Sequence, residues 1–91
     1  MITHHTDLLN ALIEKYGLRS YLEIGVQDPA NNFDKVKCRL CCGVDPEIKE
    51  AHYKINGYYK NLYGVASDKY FNAKVNYLMQ VDLIFIDCLH H

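Results

Sequence analysis

The sequence predicts an α/β protein: a doubly wound, mainly parallel sheet of about four strands with flanking helices. Three observations carry that expectation. Segments with helical spacing alternate with short apolar runs along the chain, the pattern of βαβ units. The last run, LIFI at 83–86, is continuous rather than alternating, as in a strand buried on both faces of a parallel sheet. Each apolar run also ends on an acidic residue or a glycine turn, where ligands meet open α/β sheets.

The elements follow in order. Leu8, Leu9, Leu12, Ile13 and Tyr16 recur at helical spacing after Thr6-Asp7, and Gly17 supplies a stop. SYLEIGV (20–26) reads as the first strand, ending in a glycine-containing turn. Phe33, Val36 and Leu40 fit a short helix, and LCCGVD (40–45) a second strand closed by Asp45-Pro46. Ile48, Ala51 and Ile55 suggest a further helix ended by Asn56-Gly57, and LYGVA (62–66) a third strand. Ser67 or Asp68 can cap a helix with Phe71, Val75 and Leu78 on its inner face, before the fourth strand at 83–86.

Ninety-one residues make one small domain, 1–91, with a thin stability margin. Ten basic against eleven acidic side chains argue against a nucleic-acid binder, which carries a basic excess. No apolar run approaches the roughly 20 residues needed to span a bilayer, and MITHHTDLLN lacks the pattern of a secretory leader. Cys38, Cys41 and Cys42 crowd into five residues, a poor geometry for mutual bridging, so free thiols in a reducing cytoplasm are expected.

The strand ends nominate the functional residues: Glu23 and Gly25, Asp45, Ser67 and Asp68, and Asp87. Asp45 lies 20 residues after Gly25, the spacing at which an acidic side chain meets ribose hydroxyls in nucleotide-binding α/β proteins. A zinc site from Cys38, Cys41, Cys42, Cys88 and His90 is disfavoured, because opposite ends of parallel strands lie roughly 17–20 Å apart. The cysteines read better as small core residues. Tyr53, Tyr58, Tyr59 and Tyr63, interleaved with Lys54 and Lys60, read as a packed or half-exposed patch, and His4 and His5 as a disordered end.

YLEIGV, then GVDP about twenty residues on, then SDKYF, then DLIFID followed by LHH, resembles the N-terminal half of a class I S-adenosylmethionine-dependent methyltransferase. It is most similar to the small bacterial branch whose fourth strand closes on an Ile-Asp-Gly-Leu-His-His type signature. The resemblance implies a Rossmann-like sheet and S-adenosylmethionine as cofactor. Glu23 and Gly25 would shape the loop beneath the methionine part, Asp45 would hold the ribose, and Ser67 and Asp68 would lie beside the adenine. Asp87, His90 and His91 would stand at the site of transfer to a small-molecule acceptor.

It also implies that the family's fifth strand and antiparallel hairpin are missing. That would leave the fourth strand as an apolar edge, to be covered by a second copy in a homo-oligomer, by a rearranged segment or by a separate chain. Two other functions stay open: a non-catalytic relative acting as a binding or assembly module, and a nucleotide- or dinucleotide-binding domain.

Overall fold

The computed structural model describes residues 5–73 and 80–87, without the side chain of Ala73. Helix α1 (His5–Tyr16) leads into β1 (Ser20–Ile24). A single 3-10 turn at Phe33–Lys35 precedes β2 (Leu40–Val44), β3 (Ala51–Ile55) and β4 (Tyr58–Tyr63), followed by α2 (Ser67–Ala73) and β5 (Leu83–Ile86). The five strands form one sheet in the order β3-β4-β2-β1-β5, parallel except for β3, which runs antiparallel to β4. No helix among the described residues is long and apolar enough to cross a membrane.

The mixed α/β class, β1, β2 and β5 agree with the sequence expectation; the stretch between β2 and α2 does not. The sheet has five strands rather than about four, because residues 51–55 form a strand and not the end of a helix. Asn56 and Gly57 lie at φ +51° and +85°, a pair of left-handed central residues that makes a two-residue hairpin turn and not a helix stop. Around that turn Ala51, Tyr53 and Ile55 are half-buried while His52 and Lys54 are exposed, a period of two. The third predicted strand correspondingly starts earlier, at Tyr58 rather than Leu62.

Residues paired in register share a face, so the sheet has two distinct sides. Tyr21, Cys41 and Leu62 pack with Leu9 and Ile13 of α1 and with Val26, Phe33 and Val36 from the β1–β2 connection. Leu22, Cys42 and Val44 pack on the other side with Tyr70 of α2. Cys38, Cys41 and Cys42 are buried, small core residues as expected. Burial of Cys41 pushes its thiol up to about 11.

Helix α1 buries a narrower stripe than its spacing suggests. Leu9 and Ile13 are in the core, whereas Leu8 and Tyr16 are exposed. The chain leaves the helix with the Leu18 amide donating back to Ile13 O at 3.0 Å, a bond that satisfies one of the terminal carbonyls. His5 is not a loose end: it opens α1 and its ring stacks on Phe85 at 4.8 Å between centroids. On α2 the buried residue is Tyr70, with Phe71 half-buried beside it; Val75 and Leu78 lie outside the described residues.

Strand β5 departs from expectation in burial. Its pattern alternates, with Ile84 at 47% and Ile86 at 58% exposure, so it is not covered on both faces. It pairs with β1 and with no other strand among the described residues.

Candidate functional site

The order of the parallel strands reverses direction at β1. The chain moves outward from β1 to β2 and β4, then returns to place β5 on β1's other side. The connections therefore diverge above the carboxyl ends of β1, β2 and β5, opening a crevice there.

Three residues stand at one level on those ends, because the sheet's hydrogen bonds continue one step past each strand. Gly25 N donates to Val44 O at 2.8 Å, Asp87 N to Ile24 O at 2.9 Å, and Asp45 N to Tyr63 O at 3.2 Å. Gly25 has φ +83°, and a Cβ there would sit 2.5 Å from the Asp87 carbonyl oxygen. Glycine is needed for the end of β1 to lie against the end of β5.

Asp45 is buried, and both of its carboxylate oxygens are used. Oδ2 accepts the Gln27 amide at 2.8 Å and Oδ1 accepts the Glu47 amide at 2.9 Å. These bonds tie the loop after β1 to the loop after β2 and hold Gln27 at φ +58°, an uncommon conformation for a residue other than glycine. A carboxylate offers about four lone-pair positions, so Asp45 still has capacity for a ligand diol. Gly25, Asp45 and Asp87 line a cleft of about 730 Å³ with Asp28, Glu47 and Gln27, and no lysine, arginine or histidine among the described residues contributes to it.

A second cleft, of about 620 Å³, adjoins the first and shares Gln27 and Asp87 with it. It opens between the first turn of α1 and the β1–β2 connection, and its lining includes Glu23, Asn32, Lys35 and Lys37. Glu23 is 1% exposed. Its Oε1 accepts from the Tyr21 hydroxyl at 2.7 Å and from Asn32 Nδ2 at 2.6 Å, while Thr6 Oγ1 donates to Asn32 Oδ1. Burial pushes the Glu23 carboxyl up to about 7. Asp87 adds to the rise; the bonds from Tyr21 and Asn32, and the charge of Lys60, oppose it. Burial and the neighbouring Glu23 push the Tyr21 hydroxyl up as well.

Lys60 lies beneath this connection, fully buried on the α1 side of the sheet. Its three ammonium protons meet Phe33 O at 2.8 Å, Val36 O at 2.7 Å and Cys41 Sγ at 3.5 Å. The ammonium thus holds the 3-10 turn against β4 and β2, and the lysine is a structural clamp.

The structure therefore brings Glu23, Gly25, Asp45 and Asp87 to one end of the sheet. Ser67 and Asp68 begin α2 and line neither cleft. Cys88, His90 and His91 lie outside the described residues. Sequence reasoning missed Gln27, Asn32, Thr6 and Tyr21. Of these only Tyr21 carried a local hint, being two residues from Glu23 and so on its face of the strand. Comparison of the chain with models of protein families, with curated proteins and with solved structures gives no match.

Proposed function

We propose that the crevice above Gly25, Asp45 and Asp87 binds S-adenosylmethionine, and that the chain is a Rossmann-like, doubly wound methyltransferase domain acting on a small-molecule acceptor. The observation that carries this reading is the charge of the lining. Four acidic residues, Asp28, Asp45, Glu47 and Asp87, line the cleft, with no basic one among the described residues. Such a surface repels the pyrophosphate of a dinucleotide and attracts a ligand with cationic sulfonium and ammonium groups and a ribose diol. The same lining weighs against a nucleotide- or dinucleotide-binding role.

S-adenosylmethionine supplies a methyl group already activated on a sulfonium, so little covalent chemistry is asked of the protein. Asp45, held in place by the amides of Gln27 and Glu47, would receive the two ribose hydroxyls on its remaining lone pairs. Asp87 stands where the two clefts meet, and there it would lie beside the amino-acid end and the transferable methyl. The residues' task is alignment of nucleophile and methyl and exclusion of water. Ser67, Asp68, His90 and His91 remain assigned by resemblance alone.

Calorimetric titration with S-adenosylhomocysteine and with NAD tests this. S-adenosylhomocysteine is expected to bind and NAD to bind about a hundredfold more weakly, a gap of ~3 kcal/mol. Absence of S-adenosylhomocysteine binding to folded protein would overturn the proposal.

The exposed apolar face of β5 supports a second role, as an assembly module. Ile84 and Ile86 project from a strand paired on one side only among the described residues. An antiparallel β5–β5 contact between two copies is self-complementary, as a two-fold dimer requires.

A further inference from the structure

We propose that the second cleft is the methyl-acceptor site, taking a small molecule that carries both an anionic group and an O–H or N–H nucleophile, with Glu23 as the group that receives the nucleophile's proton. This rests on the donor reading of the adjoining crevice, and it assigns that reading its substrate class.

The geometry gives each part of the ligand a partner. The cleft's volume of about 620 Å³ suits a single-ring or short-chain molecule. Lys35 and Lys37 are among its lining residues and both are exposed, available to pair with a carboxylate or phosphate. Glu23 lines it from the floor. Both side-chain hydrogen bonds it receives from the described residues end on Oε1, and no buried side-chain oxygen or nitrogen among those residues lacks a partner. Oε2 is therefore the oxygen left to the cleft. Asn32 and Tyr21 fix the carboxyl's orientation, and Thr6 holds Asn32 from α1.

The proton affinity fits the task. A buried carboxyl titrating at about 7 can take a proton from an incoming nucleophile at neutral pH, which an ordinary glutamate does poorly. Asp87 and Lys60 act on it electrostatically with opposite effects, Asp87 raising its proton affinity and Lys60 lowering it. Asp7 and His5 line the same cleft from α1.

The step balances without another reactant. The acceptor's O–H or N–H bond breaks, its proton passes to Glu23 Oε2, and the freed electron pair forms the new bond to carbon. The carbon–sulfur bond breaks with its electron pair returning to sulfur, so a sulfonium becomes a neutral thioether. Glu23 later releases the proton to water.

Three matched probes test the site on the whole chain without any methyl donor: 4-hydroxybenzoate, benzoate without the hydroxyl, and phenol without the carboxylate. Binding is read by amide chemical shifts of Asn31, Asn32 and Lys35. 4-Hydroxybenzoate is expected to bind about tenfold more tightly than either relative, as one good polar contact provides. Glu23→Gln should erase its advantage over benzoate while keeping its advantage over phenol. Lys35→Ala with Lys37→Ala should do the reverse.

Equal affinity for the three probes, or selectivity indifferent to Glu23→Gln in a variant that melts like the parent, overturns the acceptor site while leaving S-adenosylhomocysteine binding intact. Binding of the probes without binding of S-adenosylhomocysteine overturns the transfer step.

Discussion

The Gln27 amide donates to Asp45 Oδ2 at 2.8 Å, across the top of the sheet from the loop after β1 to the loop after β2. With the Glu47 amide on Oδ1 it makes one buried carboxylate the common anchor of the crevice's two walls. The same side chain is proposed to bind ribose, so its structural and ligand-binding parts must be separated by choice of variant.

Asp45→Ala removes the acceptor of two backbone amides. It is expected to destabilise the fold by about 1–3 kcal/mol, the penalty for leaving hydrogen-bonded groups unpaired. Asp45→Asn retains one carbonyl acceptor but loses the charge, and should cost less stability while weakening S-adenosylhomocysteine about tenfold or more. Thermal melts paired with binding isotherms check this. An Asn variant that binds like the parent would remove Asp45 from the ligand site.

Lys60 offers a test of the clamp. Replacing it by Met preserves much of the buried volume but removes the ammonium bonds to the carbonyls of Phe33 and Val36, leaving them the longer contacts from the Val36 amide at 3.3 Å and Cys41 Sγ at 4.0 Å. The loss should be about 1–3 kcal/mol, less than for two wholly unpaired acceptors because each carbonyl keeps a second donor. Urea unfolding measures it. A variant as stable as the parent would show that the turn's carbonyls find other partners.

Glu23 gives the fold a pH dependence whose sign is fixed. Its carboxyl is raised to about 7 when folded, chiefly by burial, so the folded chain keeps a proton that the unfolded chain releases near pH 4–5. The associated stability is complete below that lower range and is lost as pH rises through about 7. A shift of this size corresponds to about 3 kcal/mol. Unfolding free energies at pH 5 and pH 8, compared between parent and Glu23→Gln, should show the parent losing more on going to pH 8. Parallel behaviour of the two proteins would refute the burial-driven shift.

The β5 contact predicts concentration-dependent self-association in sedimentation experiments, with slow amide exchange over residues 83–86. Ile84→Lys places a charge on the apolar edge and should shift the protein toward monomer. A parent that stays monomeric at high concentration with rapid exchange over 83–86 contradicts the assembly role.

Much of the architecture was legible in local pattern. The periodicity around Leu9 and Ile13 located α1, and the apolar runs at 20–24, 40–44 and 83–86 located β1, β2 and β5. The hairpin was misread because Ile48, Ala51 and Ile55 satisfy a helical period by coincidence. The stronger signal was Asn56-Gly57 between two tyrosine-rich alternating segments, since both turn residues must adopt positive φ. The burial of β5 was misjudged because a continuous apolar run records composition and cannot show how many neighbours a strand has.

By itself the sequence determined the α/β class, the ends of β1, β2 and β5, and the acidic residues Asp45 and Asp87 that follow two of them, because these depend on local periodicity and turn chemistry. Only the tertiary structure decided what those residues do to one another. Glu23 owes its raised proton affinity to burial, which outweighs the opposing hydrogen bond from Asn32 nine positions away, and Asn32 is held by Thr6 from a separate helix. Lys60 became a core residue because folding brought the carbonyls of Phe33 and Val36 to its ammonium. Desolvation and hydrogen-bond partners are properties of three-dimensional neighbours, and distant sequence positions become neighbours only when the sheet closes over its cores.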